Sequence, residues 1–305
     1  MRAEQPSATA KRIARSLATL AAEPLVGQLV PASAAELSRR LAPRSLFGGA
    51  LFGARLRRPL RQVLERLTIP GINLHYALRK RYLEETARAA LHQGFRQVVI
   101  CGAGFDTLAL RLHPSFPTVQ FIEIDHPATQ RHKLARLAVN SSPPLQRESN
   151  LHFLPLDLTT RDFASQLAGA AGYRAGLRTL FIAEGLLMYL APGEVDALFQ
   201  FVRGPAIAAG AGSRFAFTFM EPRAGDRRLA FRGSTRAVDW WLRLRGEPFK
   251  WGIGREQLPD YLAARSFFVR ELATSTTLRQ RYLREPHLSR LSLAEGEHIC
   301  VADHV

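Results

Sequence analysis

The chain of 305 residues holds two cysteines, Cys101 and Cys300, too few for a disulfide framework or a cysteine-rich zinc cluster. Lysine is almost as scarce: Lys11, Lys80, Lys133 and Lys250 are the only four among 42 basic residues, which leaves 38 arginines. No stretch reaches the ~18 to 20 uncharged residues of a bilayer span. The apolar segment from Ser16 to Leu37 follows Lys11, Arg12 and Arg15 as a leader would, but Glu23 and Pro24 split it, and no clean apolar core of a signal peptide survives. The expectation is a soluble cytoplasmic chain. HExxH, CxxC and GxSxG strings are missing, which removes metalloprotease, redox-thiol and serine-hydrolase readings and any expectation of a metal. No biased tract is present either, which excludes a disordered tail protein and a collagen-like fibre.

What is present is a folding-competent composition, 47% hydrophobic and 22% charged, with a net charge of +16. A chain of this length buries roughly 75% of its unfolded surface without disulfides or metal clips. The charge is the usual footprint of a polyanionic partner. Here the arginines are dispersed over the whole length and form no block of like charge, so they read as a solvated basic surface more than as a nucleic-acid arm.

Between Ile13 and Leu91 apolar residues recur at helical spacings, punctuated by Pro31, Pro43, Gly48-Gly49 and Pro70-Gly71, and residues 1–92 are expected to form a helical cap. From there the pattern changes to short apolar runs alternating with helices: Gln97–Cys101, Val119–Ile124, Leu151–Leu156, Thr179–Ala183 and Arg214–Met220. Such alternation predicts β-α-β units and a mostly parallel sheet over residues 93–305. Ser266–Leu272 and His298–Ala302 are expected to add two edge strands, for seven in all. Residues 221–261 hold Trp240, Trp241 and Trp251 among many charges. A long excursion after a strand's carboxyl end lies where open α/β sheets bind ligands, so it is expected to be a substrate lid.

The informative residues are therefore those just after each strand. Strand one ends in Gly102-Ala103-Gly104, where missing side chains allow a ligand to approach the backbone closely. Strand two ends in Glu123-Ile124-Asp125, and a carboxylate there suits both hydroxyls of a ribose. Strand three ends at Asp157-Leu158, an acceptor for an adenine amino group beside an apolar wall, and strand four in Glu184-Gly185. The third glycine of the dinucleotide fingerprint is absent, since position 107 is Thr, and no lysine or arginine sits in the glycine turn to meet a phosphate. The set fits a nucleoside without phosphate, and S-adenosyl-methionine is such a molecule. His75, His113, His126, His132 and His152 show no ligand spacing and are expected to be surface or capping residues. Cys101 is expected to be a small buried hydrophobe.

The strings RQVVICGAGFDT (96–107), FIEIDHP (121–127) and AEGLLMYL (183–190), with GEPF (246–249) and LRQRY (278–282) later on, resemble the leucine carboxyl methyltransferase family. The resemblance covers roughly Pro70 to the C-terminus. It implies a Rossmann-like class I methyltransferase fold and S-adenosyl-methionine as cofactor. Carried over position by position, it implies that Asp125, Asp157 with Leu158, Glu184 and a glycine of the Gly102/Gly104 turn contact the cofactor. Arg79 resembles the arginine that holds the methionine carboxylate, with Arg81 as competitor.

Methyl transfer from a sulfonium is an in-line displacement that depends on alignment in a dry site. A carboxylate acceptor is already ionised at pH 7 and needs no general base. With no His-Asp pair evident in the sequence, O-methylation of a carboxylate on a small, acidic molecule is expected before that of a hydroxyl. An arginine beside the acceptor is then expected, Arg81, Arg223 and Arg232 being candidates, with Tyr189 and the lid residue Trp240 as further acceptor contacts. A nicotinamide-dependent oxidoreductase is the alternative on fold alone. An RNA-modifying or nucleic-acid-binding protein is the alternative on charge.

Overall fold

The computed structural model describes residues 5–42, 63–139, 150–209 and 212–304, the side chains of 205–209 excepted; Pro43 and Gly48-Gly49 lie outside this set. Its centre is one seven-stranded sheet, formed by β1 (Gln97–Cys101), β2 (Gln120–Asp125), β3 (Leu151–Pro155), β4 (Thr179–Ala183), β5 (Ser213–Met220), β6 (Phe267–Ala273) and β7 (Glu297–His304). The spatial order is β3-β2-β1-β4-β5-β7-β6. The first five strands pair in parallel, and β7 pairs antiparallel with both β5 and β6. The sequence expectation of two edge strands needs correction here: β7 lies inside the sheet and β6 alone forms that edge. The burial patterns agree, for β6 has three exposed positions whereas β7 is buried over its first six.

Every residue of β1, β4 and β5 is buried, as central strands covered by helices on both faces require. The strand period of two divides their apolar side chains between two cores. Val98, Ile100, Leu180, Ile182 and Ala216 belong to one, Val99, Cys101, Phe181, Ala183, Phe215 and Phe217 to the other. Burial pushes the thiols of Cys101 and Cys300 up to about 12, so both act as apolar fillers.

N-terminal helices complete the frame, among them α1 (Ala8–Leu20), α2 (Ala32–Leu41) and α3 (Ile72–His92). Leu17 of α1, Ala34 and Ala35 of α2, and Ala77 of α3 pack as one small cluster. The inner face of α3 enters the first sheet core through Leu78, Tyr82, Ala87 and Leu91. The excursion between β5 and β6 contains α4 (Arg236–Leu244) and returns toward the sheet through residues 246–251. Among the described residues no helix is long and apolar enough to cross a membrane.

Candidate active site

Because β2 and β4 flank β1 on opposite sides, the chain order reverses there, and a crevice opens at the strands' carboxyl ends. The turns after β1, β2, β3 and β4 all line it. Gly102 and Gly104 adopt φ of +66° and +52°, which side chains seldom tolerate. A Cβ on Gly104 would stand 3.1 Å from the Cβ of Ala10 in α1, so this turn is also where the N-terminal helix closes over the strands.

Charge is concentrated at the floor. Asp125 accepts hydrogen bonds from the Gly104 N–H and, at 2.6 Å, from the His126 N–H. Burial raises its carboxyl above the ordinary value against the pull of those two amides. Glu123, two residues earlier on the same face of β2, lies below the crevice lining and pairs with Lys133, both fully buried. Asp125 is thus the acid of this strand end that faces a ligand. Asp106 contacts Lys80 at 3.0 Å; burial alone would raise its carboxyl, but Lys80 and Lys133 hold it down to about 2. Lys80 also reaches Glu184 at 2.9 Å.

Arg79 is the hub of this floor, with 3% of its side chain exposed. Its Nε donates to Glu184 at 2.9 Å, and its Nη1 to both oxygens of Glu297 at 2.7 and 2.8 Å. Glu297 in turn bonds the ring Nε2 of His75 at 2.8 Å, with both side chains wholly buried. Burial would raise the Glu297 carboxyl, yet Arg79 and His75 hold it at about 2. Nη2 of Arg79 has no hydrogen-bond partner among the described residues and faces Gly185, whose Cβ, if added, would lie 3.4 Å away.

The roof comes from α1 and the excursion after β5. Glu247 accepts hydrogen bonds from the N–H groups of Ala8 and Thr9, at 3.1 and 3.2 Å, and from the Thr9 hydroxyl. One carboxylate therefore caps the positive end of α1 and ties it to the lid. Beside the crevice a second, smaller cavity is walled by Tyr76, Met188, Tyr189, Phe231, Trp241 and Phe249. The two spaces meet at Thr9, Ile13, Arg79, Gly185 and Tyr189, which line both.

The expected cofactor residues Arg79, Gly102, Gly104, Asp125, Asp157, Leu158 and Glu184 all lie on the crevice, and Tyr189 lies at the junction. The other acceptor candidates do not. Arg81 turns outward to Glu85 at 3.2 Å and stacks on Tyr282, because it sits two positions, about 200° of helix, beyond the inward-facing Arg79. Arg223 reaches Asp226 at 4.0 Å in the turn that leaves β5, and Arg232 pairs with Glu295 at the surface. Trp240 is 65% exposed; the inward face of α4 is instead that of Trp241. Nor are the histidines uniformly superficial: His126 caps a helix, but His75 and His113 are buried. Lys80, Glu247 and the His75–Glu297 pair are site residues that sequence reasoning did not single out. For Lys80 and Glu247 a signal existed, in the rarity of lysine and in the GEPF string. The His75–Glu297 pair spans 222 positions and carries no local signal.

These residues fit a phosphate-free nucleoside with a cationic arm. Asp125 suits ribose hydroxyls. Asp157, with Oδ1 bonded by Thr159, presents Oδ2 beside the buried Leu158 wall. Glu184 and Asp106 bring negative charge to the far end, and Nη2 of Arg79 is available for a carboxylate.

The family model described as leucine carboxyl methyltransferase matches residues 7–203. A Mycobacterium avium (strain 104) protein named "Putative S-adenosyl-L-methionine-dependent methyltransferase" is 36% identical over 174 residues, 56% of this chain and 49% of that one. A Mycobacteroides abscessus protein of the same name is 32% identical over 219 residues, covering 68% and 65%. The chain thus spans about half to two thirds of the length of the curated relatives it matches. A crystal structure described as "a putative methyltransferase from Thermobifida fusca YX" superposes over 99% of this chain and 96% of that one, with a TM-score of 0.56 at 14% identity. The fold is the class I methyltransferase fold.

Proposed function

The chain belongs to the leucine carboxyl methyltransferase family, and from that premise we propose that it is an S-adenosyl-methionine-dependent O-methyltransferase acting on a carboxylate of a small, acidic molecule. When bound, the cofactor supplies an electrophilic methyl group on a sulfonium. Asp125, Asp157 and Leu158 hold the nucleoside, and Arg79, supported by Glu184 and Glu297, holds the methionine carboxylate. The aromatic cavity receives the acceptor, and the reacting oxygen lies near Tyr189, where the two spaces join.

The observation that carries the carboxylate reading is the state of the ionisable groups at this junction. Glu297, already the partner of Arg79 and His75 and held at about 2, is a poor proton acceptor. Burial raises the phenols of Tyr76 and Tyr189 above their ordinary values, so both remain hydrogen-bond donors. Two donors, beside a carboxylate already committed to Arg79 and His75, suit an acceptor that arrives ionised. Arg12, at the cavity's outer edge, is the cation that draws an acid in, the part expected of Arg81, Arg223 or Arg232.

The test is transfer from methyl-labelled S-adenosyl-methionine to a panel of aryl and alicyclic carboxylic acids and the matching phenols. Products whose label leaves as methanol in mild alkali are esters and support the reading. Alkali-stable ethers formed from the phenols alone would overturn the carboxylate assignment while keeping methyl transfer.

A further inference from the structure

The aromatic cavity continues outward. Arg12 and Trp241 line both it and an adjoining surface groove whose other walls include Lys11, Arg15, Asn73 and Arg245. The Trp241 ring lies 5.7 Å from the Arg12 guanidinium carbon and 5.8 Å from that of Arg245. Elsewhere in the excursion Arg228, Arg232 and Arg255 pair with Asp239, Glu295 and Glu221, while Arg227, Arg236 and Arg243 make no ion pair among the described residues but do not line the groove. In the groove, no ion pair joins Lys11, Arg12, Arg15 or Arg245 to a carboxylate among the described residues, and no acid lines it. Glu65, the acid bonded to Asn73, is occupied by that residue's N–H at 3.2 Å and its side-chain amide at 2.5 Å. Partial burial, and after it repulsion from Arg15 and Arg136, lowers the Lys11 ammonium below its ordinary value.

We propose that this groove is the outer half of the acceptor site and holds an oxyanion, phosphate or carboxylate, at the distal end of an acceptor whose apolar body fills the aromatic cavity. The proposal rests on the aromatic cavity being the acceptor's place. It makes the acceptor a two-ended acid, with one carboxylate near Tyr189 and a second anionic group over Trp241. The flat indole beside Arg12 and Arg245 gives the connecting chain an apolar bed, and Lys11, Arg15 and Arg245 give its terminus three charged donors.

The experiment titrates the full chain calorimetrically, with S-adenosyl-homocysteine present and absent, with 6-alkoxy-2-naphthoates of two to six spacer carbons ending in phosphate, carboxylate or alcohol. At one spacer length or more, the phosphate- or carboxylate-ended probe is expected to bind about tenfold more tightly than its alcohol-ended partner, as a few partly screened charge contacts allow. The triple variant Lys11→Gln, Arg15→Gln, Arg245→Gln is expected to lose that advantage and to bind the alcohol-ended probe as before; which anionic probe gains more identifies the oxyanion. No advantage at any length, or an advantage that survives the triple variant, overturns the proposal. So does binding of poly(U) with a steep salt dependence that the triple variant removes, if the naphthoates show no preference; the groove would then be a nucleic-acid surface. Because preference is read without methyl transfer, failure of the methyltransferase reading shows separately, as no binding of S-adenosyl-homocysteine.

Discussion

The floor and the roof of the site are built in different ways. The floor consists of turns fixed to the ends of parallel strands, and its side chains are tied into one connected set: Arg79 to Glu184 and Glu297, Lys80 to Asp106 and Glu184. The roof consists of α1 and the lid, joined chiefly through the single carboxylate Glu247. A buried charged network is costly to alter, since any lost member strands another charge. An apolar wall accepts substitution far more readily. The floor therefore suits a ligand that never changes and the roof one that does, and the following substitutions test that division.

The largest effect belongs to Arg79. Arg79→Met would leave Glu184 and Glu297 without their shared cation in a dry interior, and a loss of about 3–5 kcal/mol is expected, seen as a marked drop in melting temperature. The same network sets the response to acid. Glu297 is held at about 2 against an ordinary 4.5, and Asp106 at about 2 against 3.8. Depressed carboxyls contribute stability that is complete above their unfolded values and lost as pH falls through the folded ones. The melting temperature is expected to fall from about pH 4.5 toward pH 2, and Glu297→Gln to flatten that limb while lowering the plateau at neutral pH.

Next is Asp125. Asp125→Ala removes the acid proposed to hold the ribose and frees the Gly104 N–H; S-adenosyl-homocysteine affinity is expected to fall about 100-fold by calorimetry, consistent with losing two charge-assisted hydrogen bonds. Retention of wild-type affinity would remove the floor from cofactor binding.

Much of the floor was legible in the sequence because its residues follow recognisable strands. Cys101 is followed at once by the glycine turn, and Asp125, Asp157 and Glu184 each lie within two residues of a strand end. What escaped was set by packing over distance. The choice between Glu123 and Asp125 depends on depth along β2, since the period of two puts both on one face and Glu123, the deeper, is taken by the buried Lys133. The position of β7 inside the sheet depends on antiparallel pairing with two partners, which no local pattern encodes. Arg81 and Trp240 show the same limit on helices, since each lies one or two positions from the residue that faces inward, Arg79 or Trp241, and rotation about the axis decides. The roof was least legible because α1 and residue 247 meet across 239 positions.

A smaller effect is expected at the tie between α1 and the lid. Glu247→Gln keeps the shape but removes the negative charge at the helix end, a change of about 1 kcal/mol. Stopped-flow release of S-adenosyl-homocysteine is expected to accelerate about 3- to 10-fold with little change in melting temperature. An unchanged release rate would mean that the roof does not gate the crevice.

The smallest effect should come from the residues placed outside the site. Trp240 is 65% exposed and Arg223 only approaches Asp226 at 4.0 Å in a surface turn. Surface changes of this kind usually stay within about 0.5 kcal/mol. Trp240→Ala and Arg223→Ala are therefore expected to preserve both melting temperature and S-adenosyl-homocysteine affinity, whereas Trp241→Ala, one position along the same helix, opens the aromatic cavity and weakens naphthoate binding severalfold. The pair Trp240 and Trp241 isolates the side-chain direction of α4 from its composition, since the residue type is identical. Equal losses at both positions would mean that α4 presents its other face to the acceptor, and the boundary between roof and surface would have to be redrawn.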